Sequence, residues 1–276
     1  MPDPIIATKQ DIEEIFDGAA TRYDHEGPNV FTRFGAHLVD LLNVMGGERI
    51  LDVATGKGAV LIPCAERVGR FGHVVGIDLA QKMLEQAEDA ARAAGLDNFE
   101  LYKMDAEHLE FRDHIFDMVT CAFSLFFFPS MDTALREMDR VLVPGGRIGI
   151  ALFGDTPPFE PAWGIFAEQA RAYGVAVRTP QRVVYSPEQA QALLRGVGFQ
   201  TIETSVERYD VVYDDFEEWW AFQFTLGNRA ALMRMDDATR ARFSEEYRVK
   251  LQSLFRDDGL HLNVSVVYAL ARKSTK

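Results

Sequence analysis

The chain contains few of the residues that mark secreted, metal-bound or membrane proteins. Only two of its 276 residues are cysteines. Cys64 and Cys121 are too far apart in sequence for a metal site and too few for a secreted disulfide scaffold. The six histidines show no metal-ligand spacing. We therefore predict two buried free thiols in a reducing compartment and no bound metal.

Positive charge is also scarce. The sequence has 29 Lys and Arg residues against 42 Asp and Glu residues, which gives a formal net charge of −13. No cluster of basic residues stands out against this acidity. An acidic surface repels polyphosphate backbones, which argues against nucleic acid as a partner.

A targeting sequence and long apolar runs are missing as well. The start of the sequence, MPDPIIATKQDIEEIF, has neither a basic region nor an apolar core of a signal peptide. The longest apolar stretch, from Val119 to Phe128, is too short to span a bilayer. We therefore expect a cytoplasmic protein that does not insert into membranes. The sequence does not indicate its oligomeric state.

The central part of the chain alternates strand-like and helix-like segments. Hydrophobic residues make up 47% of the sequence, enough for one substantial α/β core. Strands are predicted at Arg49 to Ala54, His73 to Asp78, Phe99 to Met104, Phe116 to Phe123 and Arg147 to Phe153. Helices are predicted between them at Ala59 to Val68, Gln81 to Ala94 and Thr133 to Val143. This alternation is typical of βαβ units and of a mostly parallel sheet covered on both faces.

Helical segments flank this alternating region on both sides. Residues 1–45 contain two predicted cap helices, Asp11 to Tyr23 and Phe31 to Val44. In the first helix, Phe16, Ala20 and Tyr23 fall on one face. We assign residues 46–276 to a Rossmann-like domain with a seven-stranded, mostly parallel sheet.

The C-terminal part carries a helical insertion between two extended segments. The extended segments are Phe199 to Tyr213 and Asn263 to Arg272. We predict that they pair antiparallel at the edge of the sheet. The segment from about 215 to 258 is expected to form a helical lid, and it begins with an aromatic group that contains Trp219 and Trp220.

The most informative motif is the turn Ala54-Thr55-Gly56-Lys57-Gly58, which follows the first strand. Glycines there allow a ligand to approach the backbone, and the following helix offers unpaired N–H groups. Asp78 ends the second strand 20 residues after Gly58. A carboxylate at this position suits the two hydroxyls of a ribose.

Two more acids favour a particular kind of nucleoside. Asp105 follows the third strand, where it is placed to accept from an adenine amino group. Asp52 lies at the mouth of the glycine turn, where it repels a pyrophosphate and attracts an ammonium. The third glycine of a dinucleotide fingerprint is missing because position 61 is Leu, and the P-loop pattern is absent. A positively charged adenosine ligand without phosphates fits best.

The order of these motifs resembles class I S-adenosylmethionine-dependent methyltransferases, above all the ubiquinone/menaquinone biosynthesis C-methyltransferase group and its small-molecule relatives. The resemblance covers residues 11 to 154. It is carried by the segments Phe16 to Asp24, Ile50 to Gly58, Gly76 to Leu84, Ala134 to Met138 and Pro144 to Arg147.

This resemblance implies S-adenosyl-L-methionine as the cofactor and a role for each matching residue. Asp52 with the loop Ala54, Thr55, Gly56 and Gly58 would hold the methionine end, which Tyr23 would also touch. Asp78 would bind the ribose, with Leu79 and Met83 on either side of the adenine. Asp105 and Ala106 would read the adenine edge, and Ala122 and Phe123 would lie beside the sulfonium.

One departure from the quinone-pathway pattern concerns the substrate. Where those enzymes carry Arg-Asn after the fourth strand, this chain has Phe126-Phe127, which implies a more apolar pocket. Phe127, Trp219 and Trp220 are our candidates for that pocket, although the tryptophans also suit core positions in the lid. No catalytic base is identified. His25 and His37 are better placed than His108 and His261.

Other functions fit parts of the same pattern. A nicotinamide-dependent oxidoreductase would share the glycine turn and Asp78, but this function does not explain the presence of Asp105. A protein that keeps the cofactor without transferring a methyl group, or one that methylates proteins, also remains open. We expect methyl transfer to a carbon, oxygen or nitrogen atom of a small, largely apolar molecule.

Overall fold

A computed structural model describes residues 8–24, 27–175, 184–225 and 228–275 of the chain. These residues form a central sheet with helices packed around it. The strands are β1 (Arg49–Val53), β2 (His73–Asp78), β3 (Phe99–Lys103), β4 (Phe116–Ala122), β5 (Leu142–Phe153), β6 (Thr201–Tyr213), β7 (Phe255–Arg256) and β8 (Gly259–Arg272).

The strand order is β3-β2-β1-β4-β5-β8-β6, with the two-residue β7 paired to β8. Strands β1 to β5 pair in parallel, whereas β8 runs antiparallel to both β5 and β6. The mostly parallel sheet and its antiparallel edge are therefore confirmed. The predicted strand number is short by one, because β7 is a hairpin arm too brief to leave a hydrophobic pattern.

The helices fall where the amphipathic periodicity predicts them, with shifts at their ends. They are α1 (Lys9–Ala19), α2 (Val30–Leu42), α3 (Leu61–Val68), α4 (Gln81–Ala93), α5 (Met131–Val141), α6 (Ala162–Ala172), α7 (Pro187–Gly196), α8 (Phe216–Phe222), α9 (Asn228–Leu232) and α10 (Asp237–Leu251). The earlier start of α1 has a local cause. Thr8 and Asp11 form a capping box that satisfies the first N–H groups.

Strand β5 begins earlier than the sequence pattern predicts. The segment Pro144 to Gly146 is expected to end a helix, but the strand passes through it from Leu142 onward. A shift in pairing register between Phe116 and Met118 of β4 accommodates the irregular segment. Gly145 adopts a positive φ of 80° there, a conformation that glycine tolerates without strain.

The core lies between the sheet and the helices packed on it. Residues Ile50 to Val53 of β1 are buried almost completely, as expected for a central parallel strand. Cys64 and Cys121 are buried free thiols, as predicted. In the part of the chain that the structure describes, no three His, Cys, Asp or Glu side chains are grouped to hold a metal. None of the helices in those ranges is long and apolar enough to cross a membrane.

Candidate cofactor-binding site

The carboxyl ends of β1, β2 and β4 meet at one edge of the sheet, where the loop between β1 and α3 makes an unusual turn. Ala54 and Gly56 both adopt a φ of 55°, and Gly58 adopts a φ of 89°. The Thr55 N–H donates to the Ile77 carbonyl of β2 at 2.9 Å, which ties the loop to the neighbouring strand. A left-handed turn of this kind opens the backbone toward a ligand.

Asp52 is buried beneath this turn and holds it in place. One carboxylate oxygen accepts from the Thr55 hydroxyl at 2.6 Å, and the other accepts from the Thr120 hydroxyl of β4 at 2.7 Å. Only 2% of Asp52 is exposed, and this burial raises the pKa of its carboxyl to about 6. Asp52 therefore stabilises the loop from below.

Asp78 lies at the end of β2 and faces a cavity. Its two oxygens accept from the backbone N–H groups of Gly56 and Ala80, each at 2.9 Å. An ionised carboxylate accepts about four hydrogen bonds, so these backbone donors leave acceptor capacity for a ligand hydroxyl. Burial raises the pKa of Asp78 to about 6.

The cavity beside Asp78, here called the aromatic cavity, has walls of apolar and aromatic side chains. The empty space between these walls is about 730 Å³, counting the part that is open to solvent. It is lined by Lys9, Ile12, Phe16, Tyr23, Ala54, Gly56, Ile77, Asp78, Leu79, Met83, Met104, Asp105, Ala106, Ala122, Phe123, Ser124, Phe127, Phe128 and Pro129. Its polar side chains are few, namely Lys9, Tyr23, Asp78, Asp105 and Ser124.

Helix α1 covers this cavity. Phe16 packs edge-on against Phe127, with ring centroids 5.3 Å apart, and against Tyr23 at 6.0 Å. The Lys9 ammonium bridges Asp105 at 2.7 Å and Glu107 at 2.6 Å, across nearly a hundred residues of sequence. These contacts close the cavity from the N-terminal side.

The edge of the cavity near β3 carries Asp105 and Ala106. One oxygen of Asp105 accepts from Lys9, and the other accepts from the Glu107 N–H at 2.9 Å. Asp105 is partly exposed, while Ala106 is buried against the cavity. A ligand that donates a hydrogen bond to the Asp105 carboxylate therefore shares this carboxylate with the Lys9 ammonium.

A second cavity, here called the loop cavity, adjoins the first at the glycine turn. The two share Tyr23, Ala54, Gly56, Ala122 and Phe123. The further lining residues of the loop cavity are Asp24, Phe31, Thr32, Ala36, Asp52, Thr55, Lys57, Gly58, Ala59, Val60, Ile62, Pro63, Glu66 and Ala90. A ligand that extends from Asp78 past the glycine turn reaches this cavity.

The thirteen residues predicted to bind the cofactor all line one of these cavities. Five of them line only the aromatic cavity, namely Asp78, Leu79, Met83, Asp105 and Ala106. Asp52, Thr55 and Gly58 line the loop cavity, and the five shared residues lie between the two. The structure therefore brings all thirteen residues together around two adjoining cavities.

Aromatic side chains dominate the wall beyond β4. Phe123 follows the strand with a φ of 56° and packs against Phe153 and Phe31, with centroid distances of 5.1 and 5.5 Å. Phe127, our candidate for the substrate pocket, lines the aromatic cavity, whereas Phe126 packs against it with ring centroids 4.7 Å apart. The wall is therefore apolar at Phe126 and Phe127, the two positions where the quinone-pathway pattern has Arg and Asn.

Trp219 and Trp220 do not reach either cavity. Trp219 is fully buried, and its indole N–H donates to the Tyr247 hydroxyl at 3.0 Å. Trp220 stacks on Phe216 at 6.1 Å within the same helical group. Their assignment to the substrate pocket is wrong on geometric grounds, because both anchor the core of the C-terminal helices.

The histidines proposed as candidate bases also lie away from the cavities. His37 packs on Tyr268, with ring centroids 5.0 Å apart, and His261 pairs with Asp210 and Asp258. His108 is exposed and lines neither cavity. His25 lies outside the described residues.

Sequence reasoning missed three polar or aromatic contributors to the site. Phe16 packs with Ala20 and Tyr23 as predicted, although α1 ends at Ala19 and those two residues follow it. The spacing does not predict the contact of Phe16 with the cavity. Lys9 carries no local motif that indicates a contact with Asp105. Lys57 lies within the glycine motif, but the motif does not predict that its ammonium donates to the Tyr23 carbonyl.

This fold and the paired cavities define a class I methyltransferase type of Rossmann-like protein. The family model described as the ubiE/COQ5 methyltransferase family matches residues 5–169, which is more than half of the 276 residues. The chain belongs to this family.

Curated relatives are similar over about half of the chain. Aklanonic acid methyltransferase DauC from Streptomyces sp. (strain C5) is 41% identical over 140 residues, which cover 51% of this chain and 64% of that protein. Nocamycin O-methyltransferase from Saccharothrix syringae is 38% identical over 144 residues, which cover 52% of this chain and 51% of that protein. A demethylmenaquinone methyltransferase from Staphylococcus epidermidis is 35% identical over 149 residues, or 51% of this chain and 60% of that protein. The chain therefore spans less than two thirds of the length of each of these relatives.

Solved structures share the fold over most of the chain. The [4+2]-cyclase SpnF has a TM-score of 0.60 at 20% identity, and the alignment covers 99% of this chain and 98% of that one. Phosphoethanolamine N-methyltransferase 2 from Haemonchus contortus, in complex with S-adenosyl-L-methionine, has a TM-score of 0.55 at 19% identity, covering 99% and 59%. At these identities the likeness concerns the fold alone.

Proposed function

We propose that this protein binds S-adenosyl-L-methionine and transfers its methyl group to a small, largely apolar molecule. The observation that carries the proposal is Asp78, a carboxylate with unused acceptor capacity between the glycine turn and an aromatic-walled cavity. The family membership and the printed names of the relatives support the same reaction.

The cofactor, when bound, supplies a methyl group already activated on a sulfonium sulfur. Asp78 accepts the ribose hydroxyls in this assignment, while Leu79 and Met83 enclose the adenine. Asp105 and the Ala106 N–H read the adenine edge. The loop from Ala54 to Gly58 holds the amino-acid end, with Asp52 fixing the loop from beneath.

The acceptor occupies the aromatic side of the cavity. Phe127 and Phe128 line it, and Phe16 covers it from above. Such walls exclude water and favour an apolar, flat molecule that stacks on aromatic rings. The chain's contribution to the reaction is alignment and dehydration, which are sufficient for an in-line displacement from an activated donor.

The titratable groups on this wall do not include an evident base for neutral pH. Burial raises the pKa of Tyr23 well above its usual value, with Asp24 and Asp78 adding to the effect. The Tyr23 hydroxyl therefore keeps its proton at neutral pH. We expect acceptors that are nucleophilic on their own or that ionise readily.

The two buried thiols suit a reducing compartment, and we assign the reaction to the cytoplasm. The acidic surface makes small molecules, rather than nucleic acids, the expected substrates.

The test is calorimetric titration with S-adenosylhomocysteine, the product form of the cofactor, followed by transfer of labelled methyl to a panel of phenolic and quinone-like acceptors. Replacing Asp78 with Ala removes the ribose contact and should weaken binding by about 10- to 100-fold. The matched control is Asp132→Ala, which removes an exposed carboxylate paired with Arg136 on α5.

Each outcome distinguishes between the alternatives. Binding that is lost in the Asp78 variant and retained in the Asp132 variant supports the assignment. Tight binding of NADH without binding of S-adenosylhomocysteine would establish the nicotinamide alternative. Binding without labelled product from any acceptor would favour a protein that keeps the cofactor but transfers no methyl group.

A further inference from the structure

One acidic side chain joins two separate walls of the aromatic cavity without lining the cavity itself. Glu107 lies in the loop after β3 and lines neither cavity. One of its carboxylate oxygens accepts from the Lys9 ammonium of α1 at 2.6 Å. The other accepts from the Ser130 N–H, also at 2.6 Å. Glu107 therefore connects α1 to the segment of chain that leads into α5.

That segment is the wall against which the proposed acceptor stacks. Residues 127–130, here called the wall segment, run from Phe127 to Ser130. The first three of them line the aromatic cavity, and the hydroxyl of Ser130 caps the start of α5. The hydrogen bond that Glu107 accepts from Ser130 therefore fixes the wall segment at its helical end.

Helix α1 is the other partner of Glu107, and it covers the same cavity. Lys9 divides its ammonium between Glu107 and Asp105, which lines the cavity. Further along α1, Phe16 packs on Phe127 with ring centroids 5.3 Å apart. Helix α1 and the wall segment are therefore connected twice, once through apolar rings and once through Glu107.

The polar connection is largely shielded from water. Only 14% of the Glu107 side chain is exposed, so its pairing with Lys9 is screened less than a fully exposed ion pair. Hydrogen bonds that involve an ionised group are about twice as strong as neutral ones. Moving α1 away from the cavity would leave a half-buried carboxylate without its cation, which is unfavourable. A displacement of α1 therefore disturbs Glu107 and, with it, the wall segment.

We propose that Glu107 is a positioning residue that sets the wall segment for the acceptor when α1 closes over the cofactor. The inference rests on the proposed function, in which the cofactor and the acceptor share the aromatic cavity. A bound cofactor favours the closed position of α1, because Ile12 and Phe16 of this helix line the cavity that holds it. The closed helix then holds the wall segment through Glu107. Because such coupling is reciprocal, the acceptor also tightens the binding of the cofactor.

The test measures how much one ligand changes the affinity for the other. The probes are S-adenosylhomocysteine and 1-naphthol, a flat phenol used in place of the acceptor. Equilibrium dialysis gives the affinity for 1-naphthol with and without saturating S-adenosylhomocysteine. In the wild type we expect S-adenosylhomocysteine to raise this affinity by about tenfold, which is within the usual range of coupling between two sites.

Two variants break the connection at different points. Glu107→Gln keeps the length of the side chain and an oxygen for the Ser130 N–H, but it removes the charge that binds Lys9. Lys9→Met removes the ammonium and leaves Glu107 in place. Each variant should reduce the effect of S-adenosylhomocysteine on 1-naphthol to about twofold or less. The double variant should show no further loss, because both changes break the same connection.

The matched control is Glu110→Gln, which removes an exposed carboxylate from the same loop and should leave the effect unchanged. If Glu107→Gln and Lys9→Met weaken both ligands but keep the effect of one on the other, Glu107 has a structural role only and the inference is wrong.

The wild type separates this inference from the proposed function. If it binds S-adenosylhomocysteine but shows no effect on 1-naphthol, or does not bind 1-naphthol at all, the inference is overturned while the proposed function stands. Failure of the wild type to bind S-adenosylhomocysteine would overturn the proposed function and this inference together.

Discussion

At the scale of single residues, Asp52 and Asp78 do different work although the sequence presents them alike. Both are aspartates at the ends of neighbouring strands, and the sequence predicts both at the cofactor. Asp52 holds the loop partly because it accepts a hydrogen bond from Thr120 of β4, which lies 68 residues away in the sequence. A contact so distant in sequence leaves no local pattern, so only the folded chain reveals it.

The raised pKa of Asp78 leads to a pH dependence of cofactor binding. In the proposed function the ionised carboxylate accepts the ribose hydroxyls, and burial raises the pKa of this carboxyl to about 6. Protonation therefore competes with the ligand below this pH. We expect the affinity for S-adenosylhomocysteine to be constant above about pH 7 and to fall by about tenfold per unit once the pH is well below 6.

Calorimetry from pH 5 to 8 measures this profile. The variant Asp78→Asn should bind weakly, without an inflection that belongs to residue 78. Asp52 also has a pKa raised to about 6, so Asp52→Asn serves as the control and should retain the inflection from Asp78. A flat wild-type profile would contradict the assignment of Asp78.

At the scale of secondary-structure elements, helix α1 combines a predictable face with unpredictable anchors. The spacing of Phe16, Ala20 and Tyr23 predicts their common face, and these residues do pack together. Lys9 instead reaches Asp105 and Glu107, which are 96 and 98 residues away. Periodicity indicates that the helix is amphipathic, but it does not indicate which surface the helix covers.

Phe16 gives a test of whether α1 retains the cofactor. We expect Phe16→Ala to speed dissociation of S-adenosylhomocysteine by about tenfold, since each aromatic pair contributes about 0.5–1.5 kcal/mol and Phe16 makes two. Surface plasmon resonance measures the dissociation rate. The control Phe71→Ala removes a phenylalanine that is 80% exposed and should leave that rate unchanged.

The C-terminal insertion shows where sequence reasoning reaches its limit. Its helices and the flanking strands β6 and β8 are visible as hydrophobic patterns, and they pair as predicted. The sequence does not predict the orientation of Trp219, because an aromatic residue suits a substrate pocket and a hydrophobic core equally well. The indole bond to Tyr247, 28 residues further along, settles its place in the core.

At the scale of the whole molecule, the parallel sheet was the most predictable feature. Alternating apolar strands and amphipathic helices permit few arrangements, and a parallel sheet follows from the connections. The net charge of −13 is equally evident from the sequence. Its effect acts over the entire surface and does not depend on any one contact.

This acidity predicts how salt affects the two forms of the cofactor. S-adenosylmethionine carries one positive charge more than S-adenosylhomocysteine, so an acidic protein attracts it more strongly at low ionic strength. Raising the salt from about 20 to about 300 mM should lower the ratio of their affinities by about two- to threefold. Paired titrations at each salt concentration measure the ratio. An unchanged or rising ratio would show that the overall charge has no such effect.

The distribution of tryptophan separates the optical signals of the protein. All three tryptophans, Trp163, Trp219 and Trp220, lie in the C-terminal helices, and none lines the aromatic cavity or the loop cavity. Indole emission therefore reports on the packing of α6, α8 and α10. Tyr23, which lines both cavities, absorbs in the ultraviolet but emits weakly beside three indoles. Fluorescence thus follows the melting of the C-terminal helices, while circular dichroism follows the whole chain. A fluorescence transition at a lower temperature than the circular dichroism transition would show that these helices unfold before the sheet.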